Sequence, residues 1–376
     1  MNNTKCIMKV DFLNLLQVNA PYQKEIMDSI QRVVESGWYL RGEETALFEQ
    51  EFALYCGMNN AVGVGNGLDA ITLILMACKE LYGWNDEDEV LVPAHTFIAT
   101  VQAVIRAGLK PVLCEVSEQD YLIDVSKVEL RVTGTTRAIL PVHLYGLVCD
   151  MPKLASIAKQ FNLKLIEDAA QSHGGCDSEG GHIGKYSEAV AYSFYPGKNL
   201  GAMGDGGAVV TDKKDLARCV RMLANYGSEQ KYKHEYIGLN SRLDEIQAAV
   251  LRVKLRYLDK DNEQRRKVAT CYAKGIQNPL LRIPYEGNTK RSVFHIYPVL
   301  CAERDKLADF LCEKSIGTLV HYPIPLHQQS ALSGCFVGNF PVTEMICSSE
   351  LSLPISNVMA EDEIAYVIES INNFRI

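Results

Sequence analysis

Between residues 44 and 245 the sequence alternates between short apolar runs and amphipathic stretches. The apolar runs include AVGVG (61–65), EVLVP (89–93) and LKLIEDAA (163–170). The stretches between them carry apolar residues at helical spacing, as in 68–81. Short buried strands that alternate with helices are typical of a largely parallel sheet covered by helices on both faces. The sequence therefore predicts an α/β fold for this part of the chain.

The pattern changes near residue 240. Ser241 and Asp244 form a capping-box pattern, which predicts the start of a long helix with apolar residues every three or four positions up to residue 257. The later elements are mixed: an extended stretch (292–301), a helix (304–314), a strand-like stretch (317–323) and a final helix (361–373). We therefore predict a large domain over 1–245 and a smaller α+β domain over 246–376, linked by the long helix.

Composition excludes several classes of protein. The 376 residues have a formal charge of −8, so no basic surface for nucleic acid or anionic membranes is expected. The longest apolar run, around Ala70–Cys78, is far shorter than the roughly 20 residues of a membrane-spanning helix. The first residues lack an apolar signal core, and the 12 cysteines are scattered without a C-x-x-C pair. We expect a cytoplasmic protein with reduced thiols and no metal site.

Polar and glycine-rich segments follow several of the predicted strands. Because ligands gather at the carboxyl ends of parallel strands, these segments are the first candidates for a site. Gly67 and Leu68 follow the strand at 61–65, and Phe97 follows EVLVP. Asp168 and Lys198 follow the strands near 163 and 188. An acid, a lysine, an aromatic ring and a glycine-rich helix start are therefore expected at one edge of the sheet.

The segment GVGNG (63–67) allows three interpretations. A dinucleotide-binding G-x-G-x-x-G motif would need glycine where Leu68 stands. A phosphate site is a better match, since glycines allow close approach and a helix N-terminus presents free N–H groups. An ordinary strand-to-helix turn is the third interpretation.

Lys198 and Asp168 are each ambiguous alone. Lys198, between Gly197 and Gly201, is either a surface lysine or a partly buried nucleophile toward carbonyl groups. Asp168 is either a structural acid or a functional carboxylate. Pyridoxal phosphate (PLP) needs both groups, because a lysine forms its Schiff base and an acid keeps its ring nitrogen protonated. It also needs a phosphate cradle and a stacking side chain, for which the sequence offers Gly67–Asp69 and Phe97 or His95, with hydrogen-bonding groups from Ser193 and Gln171.

Three long segments resemble the DegT group of sugar-nucleotide aminotransferases, within the fold type I of PLP-dependent transferases. They are EDAAQSHGG (167–175), SFYPGKNLGAMGDGGAVVT (193–211) and GLNSRLDEIQAA (238–249), and the similarity runs nearly end to end. Shorter segments, among them PAHTFIAT and HYPIPLHQQ, most resemble the subgroup that aminates C3 of dTDP-linked 3-keto-6-deoxyhexoses with glutamate as donor. Some relatives carry histidine at the Schiff-base position and catalyse dehydration, so Lys198 favours transamination.

The resemblance implies roles for the cofactor-binding residues. Lys198 binds the cofactor as a Schiff base and shuttles a proton, and Asp168 pairs with the pyridine nitrogen. The other implied contacts are ring stacking by Phe97, a position near the phenolic oxygen for Gln171, and phosphate binding by Gly67, Leu68 and Ser193. Asn240 matches a residue that reaches the phosphate of the neighbouring subunit, so a homodimer with shared active sites is implied.

The substrate contacts are less determined. Arg242 is suited to a glutamate carboxylate or a sugar diphosphate, or alternatively to an interface salt bridge. His321 and His327 lie in a segment that borders the substrate in the family, but either could be an interface histidine. Tyr195 either hydrogen-bonds a ligand or packs.

These residues predict a PLP-dependent aminotransferase that moves the amino group of glutamate to C3 of a dTDP-linked 3-keto-6-deoxyhexose. Three alternatives stay open at this point. One is amination at C4 of a dTDP- or UDP-linked 4-keto-6-deoxy sugar, and another is a PLP-binding regulator. The third is a nucleotide-sugar oxidoreductase.

Overall fold

The computed structural model describes residues 8–284 and 291–376. Its α-helices are α1 (Leu15–Asn19), α2 (Gln23–Ser36), α3 (Glu43–Tyr55), α4 (Gly67–Tyr82), α5 (Ile98–Arg106), α6 (Val125–Val128), α7 (Met151–Phe161), α8 (Lys214–Leu223), α9 (Glu245–Leu255), α10 (Leu258–Gly275), α11 (Arg304–Glu313), α12 (Pro341–Ser349) and α13 (Glu361–Asn373). Its strands are β1 (Asn60–Val64), β2 (Glu89–Pro93), β3 (Lys110–Cys114), β4 (Thr136–Ile139), β5 (Lys164–Asp168), β6 (Ala189–Ser193), β7 (Gly207–Thr211), β8 (Ser228–Gln230), β9 (Lys233–His234), β10 (Leu281–Arg282), β11 (Tyr297–Cys301) and β12 (Glu350–Leu353).

The described strands form one large sheet in the order β1-β7-β6-β5-β4-β2-β3. Strands β3, β2, β4, β5 and β6 pair in parallel, whereas β7 is antiparallel to both β6 and β1. The chain passes from β6 to β7 through an irregular loop rather than a crossover helix, which is the connection an antiparallel neighbour permits. The predicted α/β fold with a mostly parallel sheet is confirmed.

Both faces of this sheet are covered by helices. Successive residues of β6, Val190 and Ala191, belong to two different apolar clusters, because side chains alternate between the faces of a strand. Helices α4, α5 and α8 contribute to the cluster that contains Ala191, and α3, α7 and α9 to the cluster that contains Val190. The strands are thus buried on both sides, which explains their continuous apolar runs.

The region after residue 240 differs from the prediction at its start. Helix α9 begins at Glu245, not at the capping box, and a break at Arg256 and Tyr257 separates it from α10. The reason is that the Ser241 hydroxyl accepts a hydrogen bond from the Gly65 N–H (2.9 Å) and donates to Asp69 Oδ2 (2.7 Å). Ser241 therefore fixes the start of α4 instead of capping its own helix.

A second, antiparallel sheet of order β10-β11-β12 forms in the C-terminal part. The strand-like stretch 317–323 forms only an isolated bridge, in which Leu319 pairs with Ser352 of β12. Helix α9 packs against α2 and α3. The division at residues 245 and 246 stays a prediction.

Among residues 8–284 and 291–376, no helix is both long and apolar enough to cross a membrane. No cluster of three or more histidine, cysteine, aspartate or glutamate side chains in these ranges could hold a metal ion. Most of the described cysteines are buried, and Cys6 lies outside the described residues. Burial raises the pKa of Cys56 and Cys114 to about 12, which is typical of inert structural thiols.

Candidate active site

A cavity of about 1300 Å³ lies where β5 and β6 end, bordered on its other side by the segment 319–322. It brings together nine of the predicted site residues: Lys198, Asp168, Gln171, Gly67, Leu68, Phe97, Ser193, Tyr195 and His321. The other three, Asn240, Arg242 and His327, do not line it. The sheet edge that the sequence analysis predicted as the ligand site therefore forms the floor of this cavity.

Lys198 lies in the loop between β6 and β7. Its backbone N–H donates to the Tyr195 carbonyl (2.8 Å), and the loop folds so tightly that a Cβ on Gly201 would lie 2.3 Å from the Pro196 oxygen. Burial lowers the pKa of Lys198 to about 8, although the nearby Asp168 carboxylate raises it in part. A lysine in this environment has a much larger neutral, nucleophilic fraction near physiological pH than an ordinary lysine.

Asp168 is the last residue of β5 and is 5% exposed. Its Oδ2 accepts from the Thr100 hydroxyl (2.9 Å) and its Oδ1 accepts from the Ala170 N–H (3.1 Å). Burial raises the pKa of the carboxyl group, and the bonds from Ala170 and Thr100 oppose that shift. A buried carboxylate with fixed orientation is suited to pair with a protonated ring nitrogen.

Thr100 is a positioning residue that the sequence analysis missed. It stands on α5 one turn after Thr96, and the two hydroxyls lie 3.0 Å apart. The available signal was a pair of threonines at helical spacing just after the predicted strand EVLVP. Nothing local to that pair points to Asp168, which lies 68 positions away in the sequence.

Gly67 opens α4 at the place predicted for phosphate. Asn66 caps the helix by accepting from the Asp69 N–H (2.8 Å), and the first N–H groups of a helix have no partner within the helix itself. A Cβ on Gly67 would lie 2.6 Å from Ser193 Cβ. Only glycine therefore lets the helix start and Ser193 meet closely enough to form one anion-binding pocket. These residues fit a cofactor phosphate.

Phe97 and Gln171 face the same space. Phe97 is 51% exposed at the N-cap position of α5, and its ring lies 5.4 Å from that of Tyr322. Gln171 Oε1 accepts from the Tyr145 N–H (2.6 Å), and its Nε2 donates to the Tyr322 hydroxyl (3.1 Å). A flat ring can therefore lie against Phe97 while the Gln171 amide stays fixed at its edge.

His95, the alternative stacking residue, is buried in a separate network. Its Nε2 lies 2.9 Å from the Tyr145 hydroxyl, which donates to the carbonyl of His321. Its Nδ1 lies 3.6 Å from Cys347 Sγ. Because both ring nitrogens of His95 have partners and the ring is 2% exposed, this geometry favours Phe97 as the stacking residue.

The three remaining predicted residues lie elsewhere. Asn240 is exposed and forms an isolated bridge with Asn225. Arg242 Nη1 lies 3.4 Å from the Asn225 side-chain oxygen. His327 Nε2 pairs with Glu344 Oε1 at 2.9 Å. Their roles toward cofactor and substrate stay predictions.

Two further residues in the cavity wall had no sequence signal. Arg265 is 4% exposed and donates through Nη1 to the carbonyls of Phe294 (3.3 Å) and Ile355 (3.0 Å). His295 Nδ1 lies 3.1 Å from the Asn199 side-chain oxygen. Both residues come from the C-terminal part of the chain, and only the folded structure brings them into the cavity that Lys198 lines.

Comparison with known proteins identifies the family. The model of the DegT/DnrJ/EryC1/StrS aminotransferase family matches residues 21–372. The chain belongs to this family. It is 47% identical, over 97% of its length and 99% of the relative's, to the dTDP-3-amino-3,6-dideoxy-alpha-D-galactopyranose transaminase of Aneurinibacillus thermoaerophilus.

Solved structures agree with this assignment. The structure of Streptomyces venezuelae DesV in complex with a ketimine intermediate has a TM-score of 0.93 and 43% identity, covering 97% of this chain and 98% of that one. NtdA from Bacillus subtilis, solved with the bound cofactor PMP, has a TM-score of 0.89 and 30% identity, covering 98% of this chain and 86% of that one. The predicted family, fold, aminotransferase class and PLP cofactor are confirmed. The relatives' names also agree with the predicted C3 reaction on a dTDP-linked sugar.

Proposed function

We propose that this chain transfers the amino group of glutamate to the C3 keto group of a dTDP-linked 3-keto-6-deoxyhexose, with PLP as cofactor. The observation that carries the proposal is the convergence of Lys198, Asp168 and the pocket between Gly67 and Ser193 in one cavity. The name of the Aneurinibacillus relative supports both the dTDP-linked sugar and the position of the amino group.

When bound, PLP supplies an electron-withdrawing ring that stabilises negative charge at the reacting carbon. The chain's own residues do the remaining work. The carboxylate of Asp168, held by Ala170 and Thr100, would keep a proton on the ring nitrogen. Lys198 Nζ, with a pKa lowered to about 8 by burial, would move a proton between the reacting substrate carbon and the cofactor in each half-reaction: away from the carbon of glutamate in the first and onto C3 of the sugar in the second.

The size of the cavity supports a large second substrate. Its volume of about 1300 Å³ exceeds the roughly 300–1,000 Å³ usual for small-ligand sites. Tyr195 is 59% exposed on one wall, and His321 lies on the opposite segment. We assign both residues to substrate binding, with Tyr195 beside Lys198 and His321 farther along the sugar nucleotide.

A homodimer with shared sites is part of the proposal. Asn240 and Arg242 lie outside the cavity of their own chain, and Asn240 is exposed, so Asn240 is available to a second subunit. Mixing inactive Lys198→Ala with inactive Asn240→Ala subunits should restore activity if each site uses Asn240 of the partner. Unrestored activity in verified mixed dimers would count against shared sites. We further propose the cytoplasm as the compartment, because most of the described cysteines are buried side chains.

A two-step absorbance titration tests the reaction. The PLP form of the enzyme is converted by glutamate, the donor is removed, and dTDP-3-keto-6-deoxyhexose is added. We expect the original absorbance spectrum to return with formation of a 3-amino sugar. Return only with a dTDP- or UDP-linked 4-keto sugar would move the amination to C4. Failure of glutamate to convert the bound cofactor would contradict glutamate as the donor.

A further inference from the structure

Two buried polar residues of β12 face the segment that carries His321. Glu350 and Ser352 are each fully buried, and their neighbours Leu351 and Leu353 belong to an apolar cluster. Residues two apart on a strand share a face. The alternating sequence ELSL therefore sends a carboxyl and a hydroxyl toward one side of the strand.

These side chains form a continuous hydrogen-bonded chain that ends in the cavity. Glu350 Oε2 accepts from the backbone N–H of His321 (2.7 Å), and Glu350 Oε1 is bonded to the Ser352 hydroxyl. The Ser352 hydroxyl also lies 2.9 Å from Nδ1 of His321. A backbone bond from the Ser352 N–H to the Leu319 carbonyl (2.7 Å) fixes the spacing. His321 lines the cavity, and its Nε2 is the end of the chain.

We propose that Glu350 and Ser352 are positioning residues that determine which nitrogen of His321 carries the proton, so that Nε2–H is held toward an acceptor oxygen of the substrate. The substrate is the one named under the proposed function, on which this inference rests. The acceptor is an oxygen of the sugar nucleotide or a carboxylate oxygen of glutamate, which present the same chemistry to an N–H donor.

The direction of every bond follows from the state of Glu350. When Glu350 is protonated, it donates to Ser352, Ser352 donates to Nδ1, and the ring proton stays on Nε2. When Glu350 is ionised, Ser352 donates to it and Nδ1–H donates to Ser352, so Nε2 presents a lone pair. In the change from the first state to the second, the Glu350 proton moves to the Ser352 oxygen and the Ser352 proton moves to Nδ1 of His321. The proton on Nε2 is released.

The pKa values of Glu350 and His321 allow both the protonated and the ionised state of Glu350 near neutral pH. Burial raises the pKa of Glu350 to about 8, although its bonds from Ser352 and His321 and the charge of Arg304 lower it. Burial and the charge of Lys198 lower the pKa of His321 to about 4, so the ring is neutral in both states. The other titratable groups that act on this pair are Tyr121, Tyr322 and Cys347 around Glu350, and His95 and His295 around His321.

The pH dependence of kcat/KM tests the inference on the holoenzyme. We expect the wild-type value to fall about tenfold, the effect of one lost hydrogen bond, as the pH rises through about 8. In Glu350→Gln the amide oxygen must accept from the His321 N–H, so its NH₂ donates to Ser352 and mimics protonated Glu350. That variant should stay active, and its kcat/KM should no longer decrease as the pH rises through about 8. Ser352→Ala should be about tenfold less active at pH 7, and Ser352→Thr should recover.

Glu115→Gln is the matched control. Glu115 also accepts from a backbone N–H (Val342, 3.0 Å) and a hydroxyl (Thr343, 2.7 Å), but it does not line the cavity. It should keep the wild-type pH profile. Persistence of the alkaline fall in Glu350→Gln, or a wild-type profile in Ser352→Ala, would overturn the inference. If thermal unfolding shows that Glu350→Gln does not fold, the comparison of Ser352→Ala with Ser352→Thr tests the inference by itself.

Measuring the two half-reactions separately distinguishes the sources of the acceptor. If the Glu350 and Ser352 substitutions change only the half-reaction with the keto sugar, the hydrogen-bond acceptor is on the sugar nucleotide. If they change only the half-reaction with glutamate, the acceptor is the glutamate carboxylate. If wild-type enzyme converts with glutamate but accepts no keto sugar, the proposed substrate fails while the glutamate profile still supports or overturns the inference.

Discussion

The two walls of the cavity are built in different ways. The sheet wall, formed by Gly67, Phe97, Asp168 and Lys198, consists of the end of β5 and of short segments that follow other strands. The opposite wall, the segment 319–322, depends on residues far away in sequence, since Glu350 bonds His321 across 29 positions. The difference teaches that the proposed cofactor end of the site is specified locally by each strand end, whereas the proposed substrate end is specified by long-range packing.

The substitution with the largest expected effect on kcat tests whether the catalytic residues lie on the sheet wall. Lys198→Ala should lower kcat by about 10⁴-fold, because it removes both the cofactor's covalent anchor and the proton-transfer group. Lys254→Ala is the matched control: Lys254 is also buried, with a pKa lowered to about 8, but it donates to the Gly201 carbonyl (2.6 Å) outside the cavity. This control should lose stability while keeping the absorbance band of bound cofactor. Equal losses in both variants would contradict the assignment.

Asp168→Ala should lower kcat by about 10²–10³-fold, since it removes a preorganised charge partner. Thr100→Val should cost about tenfold, because it loosens that carboxylate without removing it. Asp177→Ala removes another buried carboxylate, one that accepts from the Gly181 N–H (2.7 Å) in a hairpin away from the cavity. Single-turnover rates with glutamate measure all three. Asp168 loses its proposed role if its variant turns over at the rate of the Asp177 variant.

The pH dependence of cofactor binding tests whether the pKa of Lys198 is lowered. Its pKa is lowered to about 8 from the ordinary 10.5, and only the neutral amine attacks an aldehyde. The rate at which cofactor-free enzyme takes up PLP should therefore rise about tenfold per pH unit below 8 and level off above it. Stopped-flow absorbance follows this rate. A rate that continues to rise toward pH 10 would indicate an ordinary exposed lysine.

Gly67→Ala should weaken PLP affinity by at least about fivefold, the lower end of the cost of overpacking. The added methyl group would lie 2.6 Å from Ser193 Cβ. Gly134→Ala is the control, because nothing lies within 4 Å of its added Cβ. Equilibrium titration with PLP compares the two. Unchanged affinity in Gly67→Ala would place the phosphate elsewhere.

The sequence predicted the sheet wall well because each of its residues follows an apolar run of recognisable length. It also predicted the final helix at 361–373 as the structure has it. It did not predict the late start of α9, since the Ser241 hydroxyl is bonded to Gly65 and Asp69, more than 170 positions earlier in the chain.

The opposite wall, the segment 319–322, was harder to predict from the sequence, also because its contacts are distant in the chain. HYPIPLH placed His321 in the site, but neither Glu350 nor Ser352 stands near it in the sequence. Its second histidine, His327, is paired with Glu344 outside the cavity. Spacing alone did not separate these two histidines, because their difference lies in which distant elements pack against each.

Locating the covalently bound cofactor tests the central claim most directly. Borohydride reduction of the PLP form fixes the cofactor on its lysine, and peptide mass spectrometry then identifies that residue. We predict a single modified site at Lys198. Modification at Lys254, or at exposed lysines without Lys198, would contradict the assignment of the sheet wall as the cofactor site.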